Sequence, residues 1–169
     1  GDERHLKIAV QLIEYLYTTR HRELQWKKPR DSSGLHILAY WDASFGTTSR
    51  TGGVVQIFNN TGCWIQGKQS TTSQSTTEAE LIAGSHVARA AIGLCNLLQQ
   101  IFRVDNSDTH VALLGDNQAT ISLVSGHTSV RKVRHLTLAD MYLKELVRDD
   151  PRVTARWVDG VDNVADMLT

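Results

Sequence analysis

The chain has 169 residues, of which 41% are hydrophobic and 21% are charged, so it is long and apolar enough to fold around a core and lacks the composition of a disordered chain. Its 18 basic residues equal its 18 acidic residues, which disfavours a protein that coats nucleic acid through a general basic excess. Its two cysteines, Cys63 and Cys95, have no zinc-ligand spacing and are expected to be buried free thiols, and no apolar run reaches the ~18 residues of a membrane span.

The first 34 residues differ in pattern from the rest of the chain. Apolar residues recur at helical spacing over residues 4–19, which predicts an amphipathic helix. Residues 27–34 combine proline, serine and glycine with charged residues, which is typical of a linker. We therefore predict a connecting helix and linker at residues 1–34 and a main domain at residues 35–169.

The main domain begins with strand-like runs and continues with alternating helices and strands. In chain order, the predicted elements are strands at 36–42, 53–58 and 63–68, a long helix at 73–102, a strand at 111–115, a helix at 117–124, a basic loop at 126–134, a helix at 135–148, a strand from Val153 to Trp157 and a helix at 161–168. Turn residues at 59–62 should join the second and third strands as a hairpin. This order predicts an α/β fold in which helices cover a mixed sheet. We expect Trp41, Trp64 and Trp157, which fall in strands, to lie in the core.

Four carboxylates occupy positions from which they can reach a common point. Asp42 and Asp116 each follow a short apolar strand, and the carboxyl edge of such strands is where α/β proteins bind ligands. Glu80 lies in the first turns of the long predicted helix, and Asp166 lies in the last predicted helix. Clustered carboxylates repel one another without a cation, and an all-oxygen set suits Mg²⁺ or Mn²⁺ better than Zn²⁺. Two such ions about 4 Å apart can promote hydrolysis of a phosphodiester bond.

Each of these acids also has an ordinary structural explanation. Asp116 is suited to cap the helix predicted from residue 117, Glu80 to interact with a helix dipole, and Asp166 to face solvent. The spacing alone therefore leaves a metal site and unrelated surface acids as alternatives. The residues that surround the acids carry more specific information.

Six segments in chain order resemble the motifs of one family. They are Y-W-D-A-S at 40–44, S-R-T-G-G at 49–53, S-T-T-E-A-E-L at 75–81, G-D-N-Q-A at 115–119, R-K-V-R-H-L at 131–136 and N-V-A-D-M-L-T at 163–169. Together they are similar to the ribonuclease H domains of reverse transcriptases from Copia-type LTR retrotransposons. The amino-terminal helix is similar to the segment that links polymerase to nuclease in that family. Any one motif is weak, but six in the family's order make a specific match.

The resemblance implies a ribonuclease H-like fold, with a five-stranded mixed sheet flanked by helices, that hydrolyses the RNA strand of RNA–DNA hybrids during reverse transcription. It implies that Asp42, Glu80, Asp116 and Asp166 are both the catalytic and the metal-binding residues, with Glu80 preferred over Glu78. They would hold two Mg²⁺ ions per site, for which Mn²⁺ can substitute. By the same resemblance, Asp42 would bridge both ions and Asp166 would serve the ion that activates water. Glu80 and Asp116 would serve the ion that stabilises the leaving oxygen.

Polar and basic residues near the acids are the candidates for substrate contacts. The expected set is Ser44, Thr77, Asn117, Gln118, Arg131, Lys132, Arg134 and His135. A hybrid is recognised by its shape, its phosphates and the 2′-hydroxyls of its RNA, so the amides and hydroxyls would meet the minor groove and the basic group would meet phosphate. Thr77 is equally suited to cap its helix, and the basic group to form a solvated loop.

The resemblance also implies partners and a location. The expected partners are an RNA–DNA hybrid and the polymerase domain of the same polyprotein, with no membrane involved. The isolated domain is expected to be monomeric. Because no signal peptide is evident, the expected location is the cytoplasm, inside virus-like particles, with the nucleus as the alternative.

Two other functions remain open on sequence grounds. A catalytically silent or domesticated module would bind hybrids on the same fold, but such a module is expected to lose an acid, and this chain keeps all four. An integrase or transposase would carry its essential glutamate on a late helix, whereas Glu80 precedes Asp116. The loop at 158–162 lacks the histidine of many ribonucleases H, which leaves the group that assists product release unassigned.

Overall fold

The computed structural model describes residues 3–23, 25–27, 34–126 and 138–169. Its helices are α1 (Glu3–Thr18), α2 (Thr76–Phe102), α3 (Gln118–Val124) and α4 (Leu138–Asp149). Its strands are β1 (Leu35–Ser44), β2 (Arg50–Ile57), β3 (Asn60–Lys68), β4 (Thr109–Gly115) and β5 (Val153–Trp157). Short 3-10 turns lie at Asn106–Asp108, Gly160–Asp162 and Asp166–Leu168.

The five strands form one mixed sheet in the order β3-β2-β1-β4-β5. The pairs β1–β2 and β2–β3 are antiparallel, and the pairs β1–β4 and β4–β5 are parallel. Phe58 and Asn59, both with positive φ, make the tight turn that closes the β2–β3 hairpin. The chain then crosses the sheet through α2 to reach β4. The predicted α/β fold with a five-stranded mixed sheet is confirmed.

The first half of α2 supplies most of the helical residues of the core, to which α3 and α4 add a few. The Ser75 side chain caps the helix by accepting a hydrogen bond from the Glu78 N–H at 3.1 Å, so α2 begins at Thr76 rather than at residue 73. Many of its buried residues are small: Ala79, Ala83, Gly84, Ala88 and Ala91. At Gly53 of β2, an added Cβ would lie 2.2 Å from a methyl carbon of Val87, which shows how closely the helix approaches the sheet. Among the described residues, α2 is also the helix that could cross a membrane by length and composition, but half of its most apolar window is buried inside the protein.

The end of the chain differs from the continuous helix predicted at 161–168. Two 3-10 turns stand there instead, one on each side of Asn163. The Asn163 side chain donates to the Trp41 carbonyl oxygen at 2.9 Å and accepts from the Ala165 N–H at 3.2 Å. These side chain–backbone hydrogen bonds compete with helical ones, so the prediction of an unbroken helix is wrong.

Not every side chain predicted in the core is buried. Trp41 is fully buried as predicted, but Trp64 and Trp157 are 62% and 47% exposed, so their placement in the core is wrong. Trp64 lies on β3, an edge strand of the sheet, where exposed residues alternate with half-buried ones. Both cysteines are free, as predicted, with Cys95 buried and Cys63 half-buried.

The helix α1 lies outside the core. None of its residues is buried, and its apolar side chains are exposed. Residues 25–27 do contact the domain, because the Asn60 side chain accepts from the Lys27 N–H at 2.6 Å and donates to the Lys27 carbonyl oxygen at 3.0 Å. The division between connecting segment and main domain stays a prediction. The predicted linker at 27–34 and basic loop at 126–134 fall largely outside the described residues.

Candidate active site

Three carboxylates from three separate elements meet at the carboxyl edge of the parallel strands. β1 and β4 pair with Tyr40 opposite Leu114. Asp42 and Asp116, each two residues further along, therefore lie at the same level at the edge of the sheet. Glu80 reaches the same point from the second turn of α2. Carboxylate oxygens of the three acids lie within 4.8 Å of one another. The structure therefore brings together three of the four acids that the sequence singles out, which we call the acidic cluster.

Two members of the acidic cluster are withdrawn from solvent. Asp42 and Glu80 are 8% and 6% exposed, and Asp116 is half-buried. The pKa of Glu80 is raised from its ordinary 4.5 to about 8, first because the group is buried and then because Asp42 and Asp116 carry like charge. Burial also raises the pKa of Asp42; a hydrogen bond from Thr169 opposes this, and the charges of Asp116 and Asp166 add to it. The acidic cluster therefore holds negative charge at an electrostatic cost.

The donor set of the acidic cluster fits a hard divalent cation. All the close ligand atoms are carboxylate oxygens, and among the described residues no histidine or cysteine belongs to the group. Mg²⁺ and Mn²⁺ prefer such oxygens, whereas zinc sites favour nitrogen and sulfur ligands. A bound cation would favour the ionised form of each acid and remove the cost of their mutual repulsion.

Asp166, the fourth predicted acid, lies at the rim of the site rather than inside the acidic cluster. It is exposed and begins the last 3-10 turn. Its charge contributes to the raised pKa of Asp42, which places it in the neighbourhood of the cluster. The turn is held by side chains on both sides: Gln66 donates to the Leu168 carbonyl oxygen at 2.8 Å, and the Thr169 hydroxyl donates to the Asp42 carboxylate.

Two predicted substrate contacts follow the acidic cluster on α3. Asn117 is the N-cap of that helix, and its side-chain oxygen accepts from the Thr120 N–H at 3.1 Å. Asn117, and not Asp116 as the sequence alone allowed, therefore caps α3. The Asp116 side chain is left available for a ligand. Gln118 is the exposed first residue of α3, two positions after Asp116 in the chain.

Of the other predicted substrate contacts, the structure describes Ser44 and Thr77 but not the basic group. Ser44 is the half-buried last residue of β1, two residues after Asp42. Thr77 is half-buried in the first turn of α2, where the capping role falls to Ser75 instead. The predicted basic group lies outside the described residues: Arg131, Lys132, Arg134 and His135.

Several contacts at the site come from residues that sequence reasoning did not single out. The Thr169 hydroxyl donates to Asp42, and the ring N–H of Trp157 donates to the Asp116 carbonyl oxygen at 2.8 Å. Thr169 and Asn163 belong to the closing motif that also contains the fourth acid, so that motif could have pointed to them. The Trp157 contact depends on the β4–β5 register, which the sequence does not display.

The chain is similar in sequence to part of a retrotransposon polyprotein. No protein-family model matches it. It is 30% identical to the Transposon Ty1-NL2 and Ty1-DR6 Gag-Pol polyproteins of Saccharomyces cerevisiae over 175 aligned positions, which cover 97% of this chain. The match covers 10% of each polyprotein, so the chain spans about a tenth of the length of these relatives.

The fold is similar to solved ribonuclease H structures. The N-terminal ribonuclease H domain of a Mycobacterium tuberculosis protein matches with a TM-score of 0.61 and 18% identity, over 80% of this chain and 91% of that one. A ribonuclease H1 from compost, in complex with an RNA/DNA hybrid, matches with a TM-score of 0.53 and 18% identity, over 78% and 92% of the two chains. The foamy viral protease-reverse transcriptase with an RNA/DNA hybrid matches with a TM-score of 0.58 and 13% identity, over 98% of this chain and 20% of that one.

These comparisons confirm the resemblance carried by the six motifs. The sequence match relates the chain to retrotransposon polyproteins, and the structural matches identify its fold. Over 97% of its length, this chain is similar to one segment of the Gag-Pol polyproteins of Ty1, a Copia-type element, and it has the ribonuclease H fold.

Proposed function

We propose that this chain is a ribonuclease H, an endonuclease that hydrolyses the RNA strand of RNA–DNA hybrids during reverse transcription of a retrotransposon. The observation that carries the proposal is the acidic cluster, with carboxylate oxygens within 4.8 Å of one another at the edge where α/β sheets bind ligands. The hybrids bound in two of the similar structures, and the polyprotein context of the relatives, support the choice of substrate.

Each acid has a separate role in this proposal. Two Mg²⁺ ions, or Mn²⁺ in their place, would supply activation of a water molecule and stabilisation of the leaving oxygen. Asp42, which interacts with both Asp116 and Asp166, is the group suited to hold both ions. Glu80 and Asp116 would hold one of them from the buried side, and Asp166 would complete the other from the rim. Because separate secondary-structure elements carry the acids, their backbone positions would not have to change for the ions to bind.

The residues around the acidic cluster would hold the hybrid in register. Gln118 and Ser44 flank the cluster, and an amide and a hydroxyl can contact the 2′-hydroxyls and base edges of a minor groove. Thr77 and Asn117 stay in the proposal as weaker contacts, because Asn117 already caps α3. The predicted basic group, residues 131–135, would contact phosphate.

The connecting segment is suited to join this domain to another domain of a longer protein. α1 exposes its apolar side chains and buries none of them, which suits a helix that links this domain to a polymerase domain. We propose the cytoplasm, inside virus-like particles, as the location, because the relatives are retrotransposon polyproteins. The proposed unit is a monomeric nuclease domain that acts with the polymerase of its own polyprotein.

Cleavage of labelled nucleic acids would test the function. We expect the protein to cut the RNA strand of an RNA–DNA hybrid with Mg²⁺ or Mn²⁺, and to leave double-stranded DNA and RNA intact. Asp116→Asn keeps the size of the side chain but removes its charge, and it should abolish cutting while leaving the fold unchanged by circular dichroism.

Two results would contradict the enzymatic proposal. Hybrid binding without cutting, under either metal, would instead support a catalytically silent hybrid-binding module. Cutting of double-stranded DNA would favour an integrase- or transposase-type nuclease on the same fold.

A further inference from the structure

The residue before Asp42 occupies a slot that is shaped for an indole ring. Trp41 is 0% exposed, although it stands next to a site residue. At Gly115 of β4, an added Cβ would lie 2.6 Å from two Trp41 ring carbons and 3.1 Å from its Nε1. At Gly84 of α2, an added Cβ would lie 3.1 Å from a Trp41 ring carbon. Two glycines therefore make room for this side chain on two sides.

The same two glycines tie the slot to the acidic cluster. Gly115 directly precedes Asp116, and Gly84 lies about one helical turn after Glu80 on α2. Trp41 itself directly precedes Asp42, so one ring packs beside the backbone that carries all three acids.

Two polar atoms in this region are buried without a hydrogen-bond partner. One is Trp41 Nε1, which can only donate, and the other is Glu80 Oε2, which accepts when the carboxyl is ionised. A buried donor and a buried acceptor that are both unpaired are uncommon in a folded protein. The Trp41 side chain is also close enough to Glu80 to lower the pKa of that carboxyl against the effect of burial, although the pair does not reach full hydrogen-bond geometry here.

We propose that Trp41 is a positioning residue whose indole N–H donates to Glu80 Oε2 once a divalent cation is bound at the acidic cluster. This inference rests on the proposed metal-dependent function. The N–H would hold one carboxylate oxygen of Glu80, leaving the other to face the cation together with Asp42 and Asp116. Outer hydrogen bonds of this kind orient metal ligands and typically change metal affinity by about 10–100-fold when removed.

A purely structural role for Trp41 makes a different prediction. Trp41→Phe keeps an aromatic ring in the slot and removes only the N–H and part of the ring volume. If the indole merely fills space, the variant should lose stability but bind metal as before. If the N–H positions Glu80, the variant should bind metal more weakly even where it remains folded.

Direct Mn²⁺ binding in the absence of nucleic acid would test the inference. The electron paramagnetic resonance signal of free Mn²⁺ would be followed as wild-type protein, Trp41→Phe and Trp64→Phe are titrated. Trp64 is a matched control, because it is an exposed strand tryptophan away from the acidic cluster. We expect about tenfold weaker binding for Trp41→Phe and wild-type binding for Trp64→Phe. Equal binding by Trp41→Phe and wild type would overturn the inference while leaving the proposed nuclease intact.

A measurement on the wild-type chain covers the case in which Trp41→Phe fails to fold. The ¹⁵N–¹H resonance of the Trp41 indole should move downfield when diamagnetic Mg²⁺ is added, as its N–H gains an acceptor. The resonance of the Trp64 indole should stay in place. A Trp41 resonance that does not shift at saturating Mg²⁺ would overturn the inference. A wild-type chain that binds neither Mg²⁺ nor Mn²⁺ would overturn the proposed function as well.

Discussion

The buried acids and the exposed acid of this site are held in different ways. Asp42 and Glu80 stand on β1 and α2, regular elements whose adjacent residues form the core. Asp166 stands on a 3-10 turn that depends on hydrogen bonds from Asn163 and Gln66. Strand register and helix packing fix the buried acids before any ion binds, whereas a few side-chain contacts place the exposed one. We infer that the site has a preformed buried half and an adjustable rim.

The largest expected effect is loss of the acid that serves both halves. Asp42→Asn should reduce hybrid cleavage by at least about 10³-fold, because Asp42 is the acid whose pKa responds to both Asp116 in the cluster and Asp166 at the rim. Single-turnover cleavage with Mg²⁺ would measure the effect. Asp149→Asn, which alters an exposed ion pair with Arg148, is the matched control and should cleave like the wild type. Activity of Asp42→Asn within tenfold of the control would contradict the division into two halves.

The buried half should also link stability to pH in the metal-free protein. The pKa of Glu80 is about 8 in the folded chain against an ordinary value of 4.5, so the folded state binds this proton more tightly than the unfolded state. The stabilisation is complete below pH 4.5 and is lost as the pH rises toward 8.

Urea unfolding of wild type and Glu80→Gln across that range would measure this linkage. The free energy of unfolding of the wild type, relative to Glu80→Gln, should fall as the pH rises, because glutamine cannot ionise. Saturating Mg²⁺ should remove most of the fall by favouring the carboxylate. A relative stability that does not change with pH would show that Glu80 is not protonated in the folded chain.

Removing the rim acid should have an intermediate effect that appears only with substrate. Asp166→Asn should slow hybrid cleavage by less than the about 10³-fold expected for Asp42→Asn, because it would remove a ligand from one ion only. Mn²⁺ binding without nucleic acid should change much less than in Asp42→Asn, since Asp166 lies outside the acidic cluster. If Asp166→Asn lost metal binding as completely as Asp42→Asn, the rim would not be a separate half.

The smallest expected effect concerns the contacts that hold the rim. Asn163→Ala removes a buried hydrogen bond to the Trp41 carbonyl oxygen and the acceptor of the Ala165 N–H, which should cost about 1–3 kcal/mol of unfolding free energy. Gln66→Ala removes an exposed hydrogen bond to Leu168 and should cost about 1 kcal/mol or less. Thermal unfolding of the two variants would rank them. A larger loss from Gln66→Ala would mean that the turn is anchored from β3 rather than from its own buried asparagine.

The buried half of the site was predictable from sequence because regular elements carry it. An apolar strand that ends at Asp42, and another that ends before Asp116, predict two acids at one sheet edge once the strands are neighbours. The sequence motif around Glu80 distinguishes it from Glu78, and the structure shows Glu80 in the acidic cluster while Glu78 accepts a hydrogen bond from the Gln74 N–H. Strand and helix patterns therefore predicted where these acids lie, and the sequence motifs around them were needed to separate a metal site from unrelated surface acids.

The remaining features depend on contacts between distant parts of the chain. The helix expected at the chain end is broken because the Asn163 side chain donates to the Trp41 carbonyl oxygen, 122 positions away. A local sequence pattern does not predict so distant a contact. Trp64 is exposed because β3 is an edge strand. The alternation of polar and apolar residues in the sequence does not reveal the order of the strands in the sheet. The slot around Trp41 needs both Gly84 and Gly115, whose proximity exists only in the folded sheet.

Locating a bound ion would test the central claim most directly. Crystals of the wild-type protein soaked in Mn²⁺ can be measured at a wavelength where manganese scatters anomalously. We predict a peak within coordination distance of Asp42, Glu80 and Asp116, and its disappearance in crystals of Asp42→Asn. An acidic cluster that stays empty at saturating Mn²⁺, with hybrid cleavage still present in the same protein, would contradict the assignment of these acids as the metal site.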